Sequence, residues 1–305
     1  MSAQRSAVRL SREVEAALAD GRPVVALEST ITSSFGLPAP HNRDCYERVD
    51  RAIRAAGAIP AVTGVLDGRM IAGVEQEEIE RILAGDWKLA ERDLPIALAR
   101  GAAIGVSTVS ATVAIAHLAG IRTFATGGIG GVHRGAETTF DISSDLGAMA
   151  RHPVIVVSAG AKAFLDLPKT IEYLETLGVP VVGYRCSEFP AFWSRTSGIS
   201  LPHRAESAAE IAAIAAAATS VGWGGGILVA NPIPADAEIP AAEIATAIES
   251  GLDVAAREGA IGPAATPRIL AAIAAATASR SIPANLALAE SNATLAAEIA
   301  VALTR

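Results

Sequence analysis

The sequence predicts an α/β sandwich built on parallel strands, and three observations carry that prediction. Short apolar runs rich in β-branched residues alternate with helix-spaced segments along the chain, a pattern that calls for crossover connections and parallel pairing. Polar residues recur directly after those runs, at Glu28, Thr126-Gly127, Ser158 to Lys162 and Asn231. Open parallel sheets bind ligands beyond the carboxyl ends of their strands, so these four signals converge on one sheet edge. Hydrophobic residues make up 51% of the 305, enough for a sizeable core and too many for a disordered chain.

Residues 1–10 read as a loose N-terminal tail. Residues 11–19 have helical spacing through Val14, Ala17 and Leu18 and stop at Gly21. Residues 23–27 read as a strand that runs into Glu28 and a series of hydroxyls. After a loop with Gly36, Pro38 and Pro40, residues 41–56 are helical through Cys45, Val49 and Ile53, ended by Gly57. Residues 59–65 and 70–74 flank Asp67-Gly68, a hairpin signature because Asp-Gly favours a type I′ turn. Residues 75–83, 93–100 and 107–118 read as helices, the last opening with hydroxyls. Residues 123–125 and 154–157 are buried strands. Beyond them come a helix at 168–177, a strand at 180–184, a helix at 205–221, a strand at 226–230, and helices near 240–257, 266–278 and 284–303. No repeat or low-complexity linker divides the chain, so one domain over 1–305 is expected.

Composition narrows the class of function. A net charge of −7 argues against a nucleic-acid surface, which needs clustered Lys and Arg. Two cysteines, Cys45 and Cys186, give neither a disulfide framework nor metal-ligand spacing, which fits a reducing cytosol. No charged-then-apolar leader pattern opens the sequence, and polar residues break the Ala-rich runs before the ~20 apolar residues a membrane span needs. A soluble cytoplasmic protein is expected.

The stretch from Phe124 to Lys162 holds the densest chemistry. Gly127, Gly128, Gly130 and Gly131 permit close backbone approach to an anion, and His133 and Arg134 add donors. The run is neither a Walker loop, lacking Gly-Lys-Ser/Thr, nor a dinucleotide fingerprint, lacking the third glycine. It reads as a plain turn or as an anion site. Asp141 and Asp145, with Ser143 and Ser144 between them, form either a dipole-stabilised helix start or an oxygen-rich set for a hard cation, Mg²⁺ or Mn²⁺ rather than Zn²⁺. Lys162 is either a solvated lysine or, at a poorly solvated strand end, an amine whose pKa falls far enough to make it a nucleophile. Glu28 is a loop or cap carboxylate or a general acid or base. Lys88 reads as a solvated helix-start charge, and Asn231 and Asn285 as cap or turn residues or site amides.

These residues stand in blocks that resemble a known family, the pseudouridine-5′-phosphate glycosidases, also called pseudouridylate synthases or indigoidine-synthase-A-like proteins. The matching blocks are Ala26-Leu-Glu-Ser-Thr-Ile, Gly36-Leu-Pro-Ala-Pro-His-Asn, the long central run from Phe124 to Glu137, Phe140-Asp-Ile-Ser-Ser-Asp-Leu, Val157-Ser-Ala-Gly-Ala-Lys, Phe192-Trp-Ser-Arg-Thr-Ser, Val229-Ala-Asn-Pro-Ile-Pro, and 281–293 with Asn285 and Asn292. They follow the family's order across nearly the whole chain. Phe35 stands where many members carry His, and the loops at 31–36 and 101–107 are each about one residue longer.

The resemblance implies a three-layer α/β/α sandwich with a mostly parallel central sheet, assembled as a homotrimer. It implies reversible cleavage of pseudouridine 5′-phosphate to uracil and ribose 5-phosphate. Glu28 matches the family's proton donor, Lys162 the nucleophile that forms an imine with the sugar C1′, and Asp141 the Mn²⁺ ligand. Lys88, Val109, Thr126, His133, Ser143, Ser144, Asp145 and Asn285 fall at substrate contacts, with Lys88 and His133 near the phosphate. Two other readings stay open: a phosphosugar- or nucleotide-binding protein without catalysis, and another Schiff-base lyase acting on a sugar phosphate.

Overall fold

The computed structural model describes residues 7–258, 265–277 and 280–304. Among them, eleven strands form one sheet: β1 (Val8–Leu10), β2 (Val24–Leu27), β3 (Ile59–Leu66), β4 (Arg69–Ala72), β5 (Lys88–Leu89), β6 (Ile104–Ser107), β7 (Thr123–Ala125), β8 (Ile155–Ser158), β9 (Val181–Tyr184), β10 (His203–Ala205) and β11 (Ile227–Ala230). The order β3-β2-β7-β8-β11-β9-β10 is parallel throughout. The sheet changes character inside β3. Its first half pairs parallel with β2, while its second half pairs antiparallel with β4 and β6. The α/β class with a mostly parallel sheet is the one the alternation predicts.

Every residue of β2, β7, β8 and β11 is buried. Strands covered on both faces read as continuous apolar runs, which is why these four were plain in the sequence. The long helix Ser281–Ala302 packs on β2, β7 and β8 and against helices His41–Ala55 and Ala208–Ser220. The helix Val109–Ala119 packs on β2, β3, β4 and β7 and against Ser144–Arg151. Small alanines let these helices lie close to the sheet at crystal-like density. Ile115, fully buried on the second of them, fills the space that remains. Truncating it to Ala would cost about 2–5 kcal/mol.

Local signals explain most boundaries. Ser11 caps Arg12–Ala19 by accepting from Val14 N, 3.4 Å away, and Asp166 and Ser207 cap the helices that follow them in the same way. Asp67 and Gly68 both have positive φ, 49° and 71°, as the type I′ hairpin requires.

Several expectations need correction. Residues 1–10 are not uniformly a loose tail: Val8–Leu10 is β1, paired in parallel with β4, and 1–6 lie outside the described residues. Lys88 opens the two-residue strand β5 rather than a helix. Ser107 ends strand β6, and its helix begins at Val109. Residues 75–83 divide into a 3₁₀ turn, Gln76–Glu78, and a helix, Ile79–Leu83. His203–Ala205 is an edge strand ahead of helix Ala208–Ser220. The missed strands β1, β5 and β10 are two or three residues long and only partly buried, so unlike β2, β7, β8 and β11 they leave no continuous apolar run, and partners distant in the chain induce them. The helices expected near 240–257, 266–278 and 284–303 are Ala241–Arg257, Ala265–Ala276 and Ser281–Ala302. Among the described residues no single helix is long and apolar enough to cross a membrane.

Candidate active site

Four adjacent parallel strands deliver the convergence that the sequence predicts. Glu28 follows β2, Thr126 follows β7, Lys162 lies four residues beyond β8, and Asn231 follows β11. Glu28 is 8% exposed, and the Thr126 hydroxyl donates to its Oε1. Thr126 is itself held through its carbonyl, which accepts from Asn292 Nδ2 at 2.8 Å. Asn292, fully buried on helix Ser281–Ala302, accepts in turn from Asn231 Nδ2 at 2.9 Å. Asn231 is therefore a brace behind the site that ties the end of β11 to that helix.

Glu28 and Lys162 lie where two lobes of one cleft meet. The first lobe is polar and holds about 260 Å³. Lys88, Val109, His133 and Asp141 line it, together with Ser143, Ser144 and Asp145. The second is smaller and mainly apolar, lined by Ile31, Phe35, Gly128, Phe192, Leu270 and Asn285. Thr126 supports Glu28 from below, and Asn285 belongs to the second lobe, so the contact residues divide between two environments. A larger apolar groove of about 630 Å³ opens elsewhere, at the amino ends of β8 and β11, beside Trp223.

Burial of Glu28 pushes its pKa above the usual carboxylate range, although Lys162 and the Thr126 hydroxyl pull the other way. That is the state a proton donor needs near neutral pH. Burial also depresses the Lys88 ammonium, with help from the Lys162 charge, to about 8. His133 lies below its ordinary value because it is buried, while Asp141 opposes the shift. A neutral imidazole keeps one N–H to offer.

Asp141 and Asp145 have different environments. Asp145 is 6% exposed and accepts from Ser110 N at 2.9 Å through Oδ1 and from Gly130 N at 2.8 Å through Oδ2. Ser143 accepts from Asp145 N, and the Ser144 and Ser110 hydroxyls lie 3.1 Å apart. Asp145 thus fastens the glycine-rich loop to the start of helix Val109–Ala119. The Asp141 carboxylate is half-exposed, 3.7 Å from His133 Nδ1. The preceding Phe140 has a φ of 54° and is 83% exposed, a strained turn that sets where Asp141 emerges. Backbone donors occupy both oxygens of Asp145, whereas the Asp141 carboxylate stays open. Among the described residues no group of three or more His, Cys, Asp or Glu side chains could hold a metal. A single open carboxylate fits a hard cation that keeps most of its shell as water, Mg²⁺ or Mn²⁺, and does not fit Zn²⁺.

The glycine-rich loop does not work as an anion cradle over most of its length. Ile129 N donates to Gly160 O, Gly130 N to Asp145, Val132 N to Thr170 Oγ1 and His133 N to Asp141 O. The glycines serve close packing instead. A Cβ at Gly128 would lie 2.5 Å from the Phe192 ring, and one at Gly130 would lie 2.3 Å from Ser143 Oγ. Arg134, a candidate anion donor, points instead to Glu249 at 2.6 Å. Lys88, His133 and the opening of helix Val109–Ala119 are the donors that this lobe offers to an anion.

Phe192, Trp193 and Asn292 had no role assigned from sequence. Trp193 Nε1 donates to Asn285 Oδ1 at 2.8 Å, and its ring meets Phe192 edge-on at 4.8 Å. The bond to Asn285 has no sequence signal, because the partners are 92 residues apart.

Comparison with known proteins agrees with this fold. The family model described as indigoidine synthase A like protein matches residues 13–302. The chain is 51% identical over 298 residues to pseudouridine-5′-phosphate glycosidase of Solibacter usitatus, covering 97% of this chain and 99% of that one. It is 50% identical over 300 residues to the protein of that name from Paracoccus denitrificans, covering 97% and 98%. Among solved structures, the prealnumycin C-glycosynthase AlnA in complex with ribulose 5-phosphate superposes with a TM-score of 0.88 at 38% identity, covering 97% of both chains. An indigoidine synthase A-like protein from Thermotoga maritima superposes with a TM-score of 0.87 at 37% identity, covering 98% and 97%.

Proposed function

Since the chain belongs to the indigoidine synthase A-like family, we propose that its cleft is the site of a pseudouridine-5′-phosphate glycosidase, which cleaves the carbon–carbon glycosidic bond reversibly. The observation that carries this reading is the placement of Glu28 and Lys162 together at the junction of a polar and an apolar lobe. The polar lobe takes the ribose phosphate, and the apolar lobe takes the uracil, with Asn285 as its amide contact. The scissile bond then lies at the junction.

The chemistry follows from the bond. Ribose C1′ is joined to uracil C5, and carbon has no lone pair for the protonation that ordinary glycoside cleavage uses. Lys162 Nζ, as the neutral amine, attacks C1′ as the C1′–O4′ bond breaks, and the proton that the alkylated nitrogen gives up passes to O4′, which opens the furanose and restores the nitrogen lone pair. The nitrogen lone pair then forms the C1′ imine as the C1′–C5 bond breaks. Its electrons pass to C5, which takes the proton held by Glu28. Water hydrolyses the imine, releasing ribose 5-phosphate and the free amine, and Glu28 regains a proton. Burial raises the Glu28 pKa and so favours the protonated form that a proton donor needs. Phosphate anchoring on Lys88 and His133 supplies binding energy remote from the reacting carbon. Asp141 would hold the Mn²⁺ ion, which when bound supplies charge stabilisation and orients bound oxygen ligands. The cytoplasmic homotrimer is part of the same proposal. The trimer is supported by the resemblance alone, and two unpaired cysteines, Cys45 buried and Cys186 half-buried, fit a reducing compartment.

The test is uracil release from pseudouridine 5′-phosphate, followed by mass spectrometry with Mn²⁺ and with chelator, plus borohydride trapping with ribose 5-phosphate. Metal-dependent uracil and a reduced adduct on Lys162 are expected. A folded protein that forms neither product would sink the glycosidase reading.

A further inference from the structure

We propose that Trp193 is a positioning residue that fixes which way round the Asn285 amide faces the base, so that the apolar lobe presents a donor and selects a carbonyl oxygen. This goes beyond the assignment of Asn285 to the base lobe and rests on it. Trp193 is 1% exposed, and its Nε1 lies 2.8 Å from Asn285 Oδ1. An indole N–H donates and never accepts, whereas an amide offers oxygen on one side and nitrogen on the other. The oxygen is therefore the atom that must turn to Trp193, independent of how the amide atoms are assigned.

The rest of the amide opens on the lobe. Asn285 opens the second turn of helix Ser281–Ala302 and lines the cleft beside Phe35, Phe192 and Lys162. Among the described residues its nitrogen meets no acceptor, and no buried side-chain nitrogen or oxygen lacks a partner. The free N–H groups of Asn285 thus face the space a ligand occupies.

The indole has little freedom to release the amide. Its backbone carbonyl accepts from Ile239 N at 2.9 Å. The neighbouring Phe192 takes a φ of 61°, donates its N–H to Ala159 O at 3.0 Å and packs its ring edge-on against the indole. Phe192 also contributes its ring to the lobe, in the gap that Gly128 leaves open. One aromatic pair thereby walls the base site and locks its amide.

A carbonyl oxygen of a pyrimidinedione accepts from this donor. An amino group in the same position sets N–H against N–H and leaves the amide unsatisfied, a mismatch of about tenfold to a hundredfold in kcat/KM. Removing the indole N–H frees the amide to flip and offer its oxygen, so discrimination falls.

The experiment measures kcat/KM for base release from pseudouridine 5′-phosphate and from its 2-amino and 4-amino analogues. It compares the unmodified protein with Trp193→Phe and Asn285→Asp. Reactivity at C5 differs among the bases, so the ratio of oxo to amino substrate is compared between proteins. The unmodified protein is expected to prefer the dioxo base over one amino analogue. Trp193→Phe is expected to narrow that ratio about tenfold while raising KM more than it lowers kcat. Asn285→Asp, which accepts from the indole and offers only acceptor oxygen, is expected to reverse the order. A folded Trp193→Phe protein that still traps ribose 5-phosphate yet keeps the full ratio overturns the proposal. So does Asn285→Asp with the preference intact, which decides the matter if the Phe variant does not fold. No base released from any of the three by the unmodified protein overturns the glycosidase reading, and this inference with it.

Discussion

The Thr126 hydroxyl donates to Glu28 Oε1, leaving Oε2 as the oxygen that carries a transferable proton. The bond favours the carboxylate and partly offsets the burial that raises the Glu28 pKa. Thr126→Val removes the donor at nearly constant volume, so the pKa rises further. A proton donor is active below its pKa and lost as pH rises through it. The alkaline limb of kcat assigned to Glu28 is therefore expected to move to higher pH, with kcat reduced about tenfold, less than the roughly 10²–10⁴ that a whole general acid supplies. A pH–rate profile in which that limb stays in place would remove Thr126 from the tuning of Glu28.

Glu28→Gln keeps the shape of the strand end and deletes the proton. Uracil release is expected to fall by about 10²–10⁴. Imine formation between Lys162 and ribose 5-phosphate needs no proton on uracil C5, so borohydride trapping should persist. Loss of trapping along with turnover would mean that Glu28 also serves the amine step.

Lys88 gives a second pH effect of known sign. With its pKa pushed down to about 8, the ammonium is present below that pH and neutralised above it. Phosphate attraction goes with it, so kcat/KM is expected to fall as pH rises through about 8. Lys88→Arg keeps its charge throughout and should flatten this limb. The same limb in both proteins would assign it to another group.

Asp145 is a structural carboxylate by its hydrogen bonds. Asp145→Asn sets an amide donor against one of two backbone donors, Ser110 N or Gly130 N. A buried unsatisfied pair of this kind costs about 1–3 kcal/mol, so Tm should fall even without ligand. An unchanged Tm with raised KM would make Asp145 a substrate contact instead.

Gly128→Ala places a methyl 2.5 Å from the Phe192 ring. The ring must move into the apolar lobe or the loop must shift. KM for the nucleotide is expected to rise, while trapping of ribose 5-phosphate, which occupies the polar lobe, changes less. Equal losses in both assays would point to a collapse of the whole loop.

The layer architecture and the edge where chemistry gathers were legible in the chain's alternation of apolar runs and helices. β2, β7, β8 and β11 are buried on both faces, so their apolar runs are continuous, and in a parallel sheet the residues after them share one side. Glu28 and Lys162 were legible for that reason, before any pairing was known. Tertiary structure alone decided the division of labour among the polar residues. Asp141 and Asp145 are the same residue type four positions apart, yet one is open and the other is tied to two backbone N–H groups from distant segments. Glycines that suggested an anion cradle instead make room for Phe192, Ser143 and Thr170. Lys88 became a strand residue because β6 offered it a partner, and Trp193 reaches Asn285 across 92 residues. Periodicity records which face of an element is buried. It holds no record of which hydrogen-bond partner a distant segment will bring, and those partners set the role of each side chain here.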